Sequence, residues 1–387
     1  MRFLWESNAP WSGTGYGNQT RLMLKALKEL GHEPSCFAFY GLSGGKVEYD
    51  GYEVFPNSDF EAWGNDVIKA HIERSNSKAV VTLMDLFVLR PSVWSELGVP
   101  WVAWVPLDSE GIGPTTLEVL KIPNMPVAMS RFGAEQMRNY DIEPGATIYH
   151  AVDTDVMYPR DKEESRDLLG LSQDAFIVGM VMANKGDRKQ YPLQLTAIKQ
   201  FMDKNPDLKV QVFIHTEPTA LMGGWDIREL VKQLGLSGLC YSTNQYDVSV
   251  VPASPDFMAK LFSSFDVLMN CSAGEGFGIP IVEAQACGVP VITQGVTAMT
   301  EITHYGYTVE SSAKGLAGHL GWQYTPSVED MAYRLECVYR NSSKARAEEG
   351  RQWVINNCSL PVIAAQWDNL FEFLEEQIEL EEEAVEG

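Results

Sequence analysis

The stretch Ser272-Ala-Gly-Glu275-Gly-Phe-Gly-Ile-Pro-Ile-Val-Glu283-Ala-Gln-Ala-Cys-Gly-Val-Pro-Val-Ile292 decides the reading of this chain. An apolar run precedes it at 265–270 and a second closes it at 289–293. Between them lie a glycine-rich turn and a short helix. Such a turn aims backbone N–H groups from a helix N-terminus, which favours phosphate. Pro280 suits the first helical turn, where a missing N–H costs nothing. Glu275 falls in the turn and Glu283 about one helical turn along the helix. Two carboxylates beside a phosphate cradle need hydroxyl donors, and ribose and hexose supply them. The alternative is a helix cap with a solvated glutamate.

Length and composition set the frame. The chain has 387 residues, more than one ordinary core accommodates, and suits two domains. Hydrophobic residues make up 45%, enough to fill two cores. Apolar runs at 3–5, 35–40, 79–84, 102–106, 127–130 and 147–152 predict buried parallel strands, with helices at 19–30 and 131–140. A second series predicts strands at 176–183, 210–215, 238–242, 265–270 and 289–293, with helices at 192–203, 226–235 and 256–264. Gly31 is placed to end the first helix. Two βα series predict two doubly wound, Rossmann-like α/β domains, residues 1–160 and 168–360, joined by the polar stretch 159–167. A helix at about 361–380 is expected to return to the first domain, ahead of an acidic tail at 381–387. Ligands of such sheets bind at the carboxyl ends of the strands, so a cleft between the domains is the expected site.

The net charge is −22. Residues 1–159 hold 12 Lys and Arg against 20 Asp and Glu, and the remainder 18 against 32. A chain this acidic is repelled by duplex DNA and by anionic membranes. Part of the acidity is eight glutamates within 372–386. The six cysteines show neither C-x-x-C nor metal spacing, which is usage typical of a reducing compartment. The first residues break their apolar run too soon for a signal peptide, and no window predicts a membrane span. The expected location is the cytoplasm.

The segment around Glu275 resembles the Glu-x7-Glu signature of retaining glycosyltransferases with the GT-B fold, and specifically the GT4 family. The correspondence runs through Glu275-Gly-Phe-Gly-Ile-Pro, Glu283-Ala and Ala286-Cys-Gly-Val-Pro-Val. The resemblance implies that Glu275 contacts the donor sugar and Glu283 the nucleotide ribose. It implies that Gly276, Phe277, Gly278 and Ile279 lie along the donor phosphates. Val127-Ala-Met-Ser-Arg-Phe-Gly-Ala-Glu and His150-Ala-Val-Asp-Thr-Asp-Val-Met-Tyr-Pro are similar to two further family segments, the second an interdomain turn. That turn accounts for Asp153 and Asp155 without a metal.

In the family, a loop after the first strand of the second domain carries Arg, four residues, then Lys, both on the donor diphosphate. Here Lys189 stands at the lysine position and Asn184 at the arginine position, so a charge is missing. Arg188 and Lys185 are both candidates to replace it. At the N-terminal loop 12–18, the family's glycine-rich loop corresponds to Gly15 and Gly17, the alternative being an ordinary tight turn. A dinucleotide fingerprint fails there, because Asn18 stands where Gly or Ala is needed. Where many relatives carry a histidine, this chain has Trp104-Val-Pro-Leu-Asp108-Ser-Glu110. Asp108 is the candidate catalytic residue beside Glu275 and Lys189, with a turn or cap role as the alternative. His215 ends a strand and is a candidate donor contact or a structural histidine. Trp11, Tyr16 and Trp225 fall in loops where a ring could stack.

The resulting expectation is a retaining glycosyltransferase using a nucleotide-diphosphate sugar, UDP- or GDP-type, with no cofactor and no metal. Its hydroxyl acceptor is a small molecule, glycan, protein or modified base. The alternatives are a sugar-nucleotide epimerase or phosphorylase of the same fold, or a non-catalytic nucleotide-sugar-binding protein.

Overall fold

The computed structural model describes residues 1–221, 223–243, 253–341 and 343–386. The chain forms two compact units. The first comprises Met1–Leu107, Gly111–Ala151 and Asn357–Gly387, and the second Asp108–Glu110 and Val152–Asn356.

The first unit is built on an eight-stranded sheet. Its strands are β1 (Arg2–Asn8), β2 (Glu33–Tyr40), β3 (Val47–Tyr49), β4 (Tyr52–Pro56), β5 (Ala79–Leu83), β6 (Trp101–Val105), β7 (Met125–Ala128) and β8 (Ala146–Thr147). The order is β3-β4-β2-β1-β5-β6-β7-β8, parallel except where β3 pairs with β4. The strands at the centre are buried on both faces, so they read as apolar runs, broken in β1 by Glu6, Ser7 and Asn8. The long helix Leu360–Glu386 belongs to this unit. Its Trp367 meets Trp5 and Trp104 at ring distances of 5.4 and 5.2 Å, and its Phe371 meets Phe3 at 4.6 Å. Each such ring contributes roughly 1.5–3 kcal/mol of burial.

The helix Gly15–Glu29 follows β1, capped by Thr14, whose hydroxyl accepts from Gly17 N at 3.0 Å. A Cβ on Gly17 would stand 2.6 Å from Ser12 O and 2.8 Å from Ala9 O. The glycine is thus required by the protein's own turn.

Glu6 is the anomaly of this sheet. It lies fully buried in β1, opposite Phe37 of β2 and Thr82 of β5. Neither carboxyl oxygen has a hydrogen-bond partner among the described residues. Burial, and then the nearby Glu61 charge, push its pKa well above the ordinary 4.5. The native state therefore keeps a proton that the unfolded chain releases, and stability falls as pH rises above that ordinary value. Glu6→Met, of similar volume, is expected to raise the melting temperature by about 2–6 °C near pH 8, from an unpaired polar group costing roughly 1–3 kcal/mol. The gain should shrink towards acid pH, and thermal melts across pH that show no gain contradict this account.

The second unit holds a six-stranded, wholly parallel sheet in the order β11-β10-β9-β12-β13-β14. The strands are β9 (Phe176–Val181), β10 (Val210–His215), β11 (Cys240–Ser242), β12 (Val267–Asn270), β13 (Val291–Gln294) and β14 (Gly306–Val309). A separate antiparallel hairpin joins β15 (Ser311–Leu316) to β16 (Trp322–Pro326). Helices including Tyr191–Lys204 and Val328–Asn341 cover the sheet with a core of Val178, Met180, Ile198, Phe201, Leu335 and their neighbours.

The polar stretch expected as a linker is a helix over most of its length, Lys162–Leu169. Asp161 caps it, accepting from Glu164 N at 2.9 Å. Its Arg166 is buried and reaches Ser264 O at 3.0 Å and Asp266 Oδ2 at 2.7 Å. The polar composition here serves a buried guanidinium with its partners, so this stretch is part of the second unit. All six cysteines are free.

Candidate active site

The site of the second unit grows from the ends of β9 and β12. After β12 the chain turns through residues 272–278 into the helix Ile279–Ala286, with Pro280 in its first turn. Gly278 caps that helix at φ +108°, a conformation open to glycine. A Cβ on Gly274 would fall 1.9 Å from Asp108 O, so the two backbones touch only because that residue is glycine. Thr297 Oγ1 accepts from Glu275 N at 3.0 Å and holds the turn from the far side.

Glu275 is 6% exposed and is gripped by two cations. Arg188 Nη1 donates to its Oε2 at 2.8 Å, and Lys189 Nζ donates to its Oε1. Arg188 also gives Nη1 to Gly274 O at 2.7 Å, and its Nε stands 3.3 Å from Asp108 Oδ2. Burial pushes the Glu275 carboxyl up, but Lys189 and Arg188 outweigh it and hold it down to about 2. Glu275 is therefore ionised at neutral pH. Burial, with Arg188 beside it, lowers the Lys189 ammonium, while Glu275 pulls it back up.

Glu283 lies one helical turn on and is the electrostatic opposite. Its packed surroundings push its carboxyl up to about 8. Two carboxylates eight positions apart thus sit in different protonation states near neutral pH.

Several expected residues join this cluster and others do not. Glu275, Lys189, Arg188 and Asp108 come together. Between the two candidates for the missing cation, Arg188 stands at Glu275, while Lys185 is exposed. Asn184 is turned inward: its Nδ2 donates to the carbonyls of Glu217, Thr219 and Trp225 at 3.0, 2.9 and 2.6 Å. Its Oδ1 accepts from Trp225 N at 2.9 Å. Its amide ties the 217–225 loop and is committed there. His215 Nδ1 is 2.7 Å from Thr243 Oγ1, and burial lowers its pKa to about 4, so it is neutral. Gly15 and Gly17 belong to the first unit. Phe277 is buried and Ile279 half-buried at the head of the helix.

Sequence reasoning missed three supports. Gln194 links the cation loop to β12, donating to Lys189 O at 2.6 Å and accepting from Cys271 N at 3.0 Å. Thr297 and Glu110 are the others, and neither stands in a motif. Among the described residues no group of three or more His, Cys, Asp or Glu side chains is placed to hold a metal ion. No described helix is long and apolar enough to cross a membrane.

Residues 176–324 match the family described as glycosyl transferases group 1. Among curated proteins, the chain is 26% identical over 197 residues to a D-inositol 3-phosphate glycosyltransferase of Nocardioides, covering 49% of this chain and 42% of that one. It is 28% identical over 179 residues to the Streptomyces scabiei protein of the same name, covering 45% and 39%. The chain thus spans less than half the length of these two relatives. Among solved structures, sucrose-phosphate synthase from Thermosynechococcus elongatus aligns over 97% of this chain and 99% of its own, with TM-score 0.76 and 17% identity. Anabaena HepE in complex with UDP-glucose aligns over 96% and 99%, with TM-score 0.70 and 14% identity. The match to the glycosyl transferases group 1 is confined to residues 176–324, and the chain has the GT-B fold.

Proposed function

We propose that this protein transfers a sugar from a nucleotide-diphosphate sugar to a hydroxyl acceptor, with retention of anomeric configuration, as a GT4-type enzyme. The observation that carries the reading is the buried, ionised Glu275 held by Arg188 and Lys189 at the head of the helix that bears Glu283. The UDP-glucose in the HepE complex supports the donor class, and the names of the relatives support glycosyl transfer.

Each residue has a chemical task. Lys189 has three N–H donors, and Glu275 accepts from this ammonium. Lys189 is the cation offered to diphosphate oxygens, beside Arg188, which is shared among Glu275, Gly274 O and Asp108. Arg188, Lys189, Glu275 and Asp108 sum to zero charge, so N–H donors at the helix N-terminus, residues 276–279, must meet the rest of the diphosphate charge. Glu275 accepts from sugar hydroxyls and Glu283 from the ribose. As the bond from the anomeric carbon to the phosphate oxygen breaks, charge grows on the diphosphate, and Lys189 and Arg188 stabilise it. They supply positive charge in the role a metal ion fills in other transferases. The acceptor oxygen bonds to the anomeric carbon on the same face, and its proton passes to a leaving-group phosphate oxygen. The acceptor is a small molecule, a glycan, a protein or a modified base.

Glu283 tests the donor half. Ribose hydroxyls donate to a carboxylate, so binding favours its ionised form and lowers its pKa from about 8. Binding of UDP or GDP is then expected to release protons, and affinity to rise with pH up to about 8. Glu283→Ala should weaken UDP or GDP about 10–100-fold, from a charged hydrogen bond worth about 1.5–3 kcal/mol. Calorimetry in two buffers of different ionisation enthalpy measures both effects. Proton-neutral binding by the wild type, with unchanged affinity in Glu283→Ala, contradicts the ribose role.

A further inference from the structure

The β15–β16 hairpin stands outside the parallel sheet, and the donor site as described does not use it. All six residues of β15 are exposed, and Trp322, which opens β16, is 43% exposed. A two-stranded hairpin is marginal in water by itself, so its position is set by its anchors. Those anchors converge on one short segment of the same unit, Asp108–Glu110. Glu110 and Trp322 exchange both backbone hydrogen bonds, Glu110 N to Trp322 O at 3.0 Å and Trp322 N to Glu110 O at 2.8 Å. The Glu110 carboxylate accepts from Lys314 Nζ of β15 at 2.6 Å and from Tyr324 OH of β16. His319 Nε2 lies 3.1 Å from Ser109 Oγ. Lys314 also stands 5.2 Å from the ring centres of Trp322 and Tyr324.

The other end of this arrangement is the Glu275 cluster. Tyr324 N donates to Ala273 O at 3.1 Å, two residues before Glu275. Ala273 N donates to Arg188 O at 2.7 Å, and Asp108 faces Arg188 Nε at 3.3 Å. One carboxylate therefore joins both strands of an exposed hairpin to the segment whose Asp108 meets the cation of the site.

We propose that Glu110 is a positioning residue for the reaction, using the β15–β16 hairpin as a clamp that holds Asp108 against Arg188 and the Glu275 turn. The inference rests on the glycosyl-transfer reading. Glu110 is two residues from Asp108 and acts through it. Losing the clamp leaves the donor-binding groups in place but loosens the Asp108–Arg188 contact. That loss appears in turnover and not in nucleotide affinity, because misplacement of a positioned group by about 1 Å costs up to ~10²-fold.

The test is Glu110→Ala beside Glu110→Gln, whose amide oxygen still accepts from Lys314 and Tyr324. UDP affinity is measured by calorimetry. Steady-state hydrolysis is measured with UDP-glucose, UDP-N-acetylglucosamine and GDP-mannose. Glu110→Ala is expected to lower kcat about 10-fold with KM and the UDP Kd within about twofold, a misplacement smaller than the full limit. Glu110→Gln should restore most of kcat. The double variant Lys314→Met/Tyr324→Phe should reproduce the loss and add nothing to Glu110→Ala, as members of one unit do. If Glu110→Ala lowers only the melting temperature while kcat of the folded protein is unchanged, the inference is overturned. Equal losses in UDP affinity and kcat overturn it as well. A wild type that binds UDP but consumes none of the three donors overturns the transfer reading, and this inference with it.

Discussion

Glu275→Gln is expected to cut sugar transfer by about 10²-fold or more, as loss of a charged transition-state contact does. It is expected to leave affinity for UDP or GDP intact or tighter. The geometry gives the reason. Glu275 neutralises Arg188 and Lys189 from a position 6% exposed. Removing its charge unbalances Lys189 and Arg188 in favour of the diphosphate, while a neutral amide oxygen replaces the charged acceptor for the sugar hydroxyls. The same change leaves Lys189 buried without its counterion, and breaking a buried pair costs about 3–5 kcal/mol. The melting temperature should therefore fall, and bound diphosphate should recover part of the loss. Glu275 also has a pH signature. Its native pKa, about 2, lies below the ordinary 4.5, so its contribution is present at neutral pH and is lost as pH falls towards about 2. Calorimetry with the bare diphosphate beside transfer assays separates the roles. Equal losses in both would make Glu275 a support for its loop and remove it from sugar recognition.

Lys189→Ala is expected to lower turnover by about 10²–10³-fold and donor affinity by about 10-fold or less, since phosphate charge grows in the transition state. Lys189 is the more buried of the two cations, 10% exposed in its side chain against 32% for Arg188. A charge acts most strongly where water is excluded. Arg188 remains to neutralise Glu275 in this variant, so the loop should keep its shape. Arg188 is shared with Asp108 and Gly274 O, so Arg188→Ala should lose stability as well as rate. Full turnover in Lys189→Ala together with loss in Arg188→Ala would reverse these assignments.

The Glu275 turn and the helix after it were legible because their signal is local. Glu275, the glycine turn, Pro280 and Glu283 lie within nine residues, and strand and helix signals bracket them. Most of the buried parallel strands were legible for the same reason, as short apolar runs, whereas β4 and β14, which carry Glu53, Tyr307 and Thr308 among their apolar residues, were not. The choice between Lys185 and Arg188 was not, because both occupy one loop and only the fold turns Arg188 onto Glu275. Asn184 reads as a departure from a cationic pattern, yet its amide serves a loop 33–41 residues further on. The helix Lys162–Leu169 was missed because a buried Arg166 gives a stretch the polarity of a linker. The β15–β16 hairpin was missed because β15, exposed throughout, and β16, half-buried after Trp322, lack the alternation of apolar and polar residues that marks a strand. Glu110 contributes through partners more than 200 residues away, which no spacing rule reveals. Glu6 contradicts every sequence rule for a central strand and is visible only as a buried carboxyl among apolar neighbours.

The central claim is that the Glu275 site breaks the bond between an anomeric carbon and a nucleoside diphosphate and keeps the configuration. Proton NMR of UDP-glucose, UDP-N-acetylglucosamine and GDP-mannose incubated with the protein observes it directly. The account predicts that at least one donor is consumed, with the α-anomer of the sugar appearing first and Glu275→Gln slowing the reaction by about 10²-fold or more. First appearance of the β-anomer, or consumption at the same rate in Glu275→Gln, would contradict it.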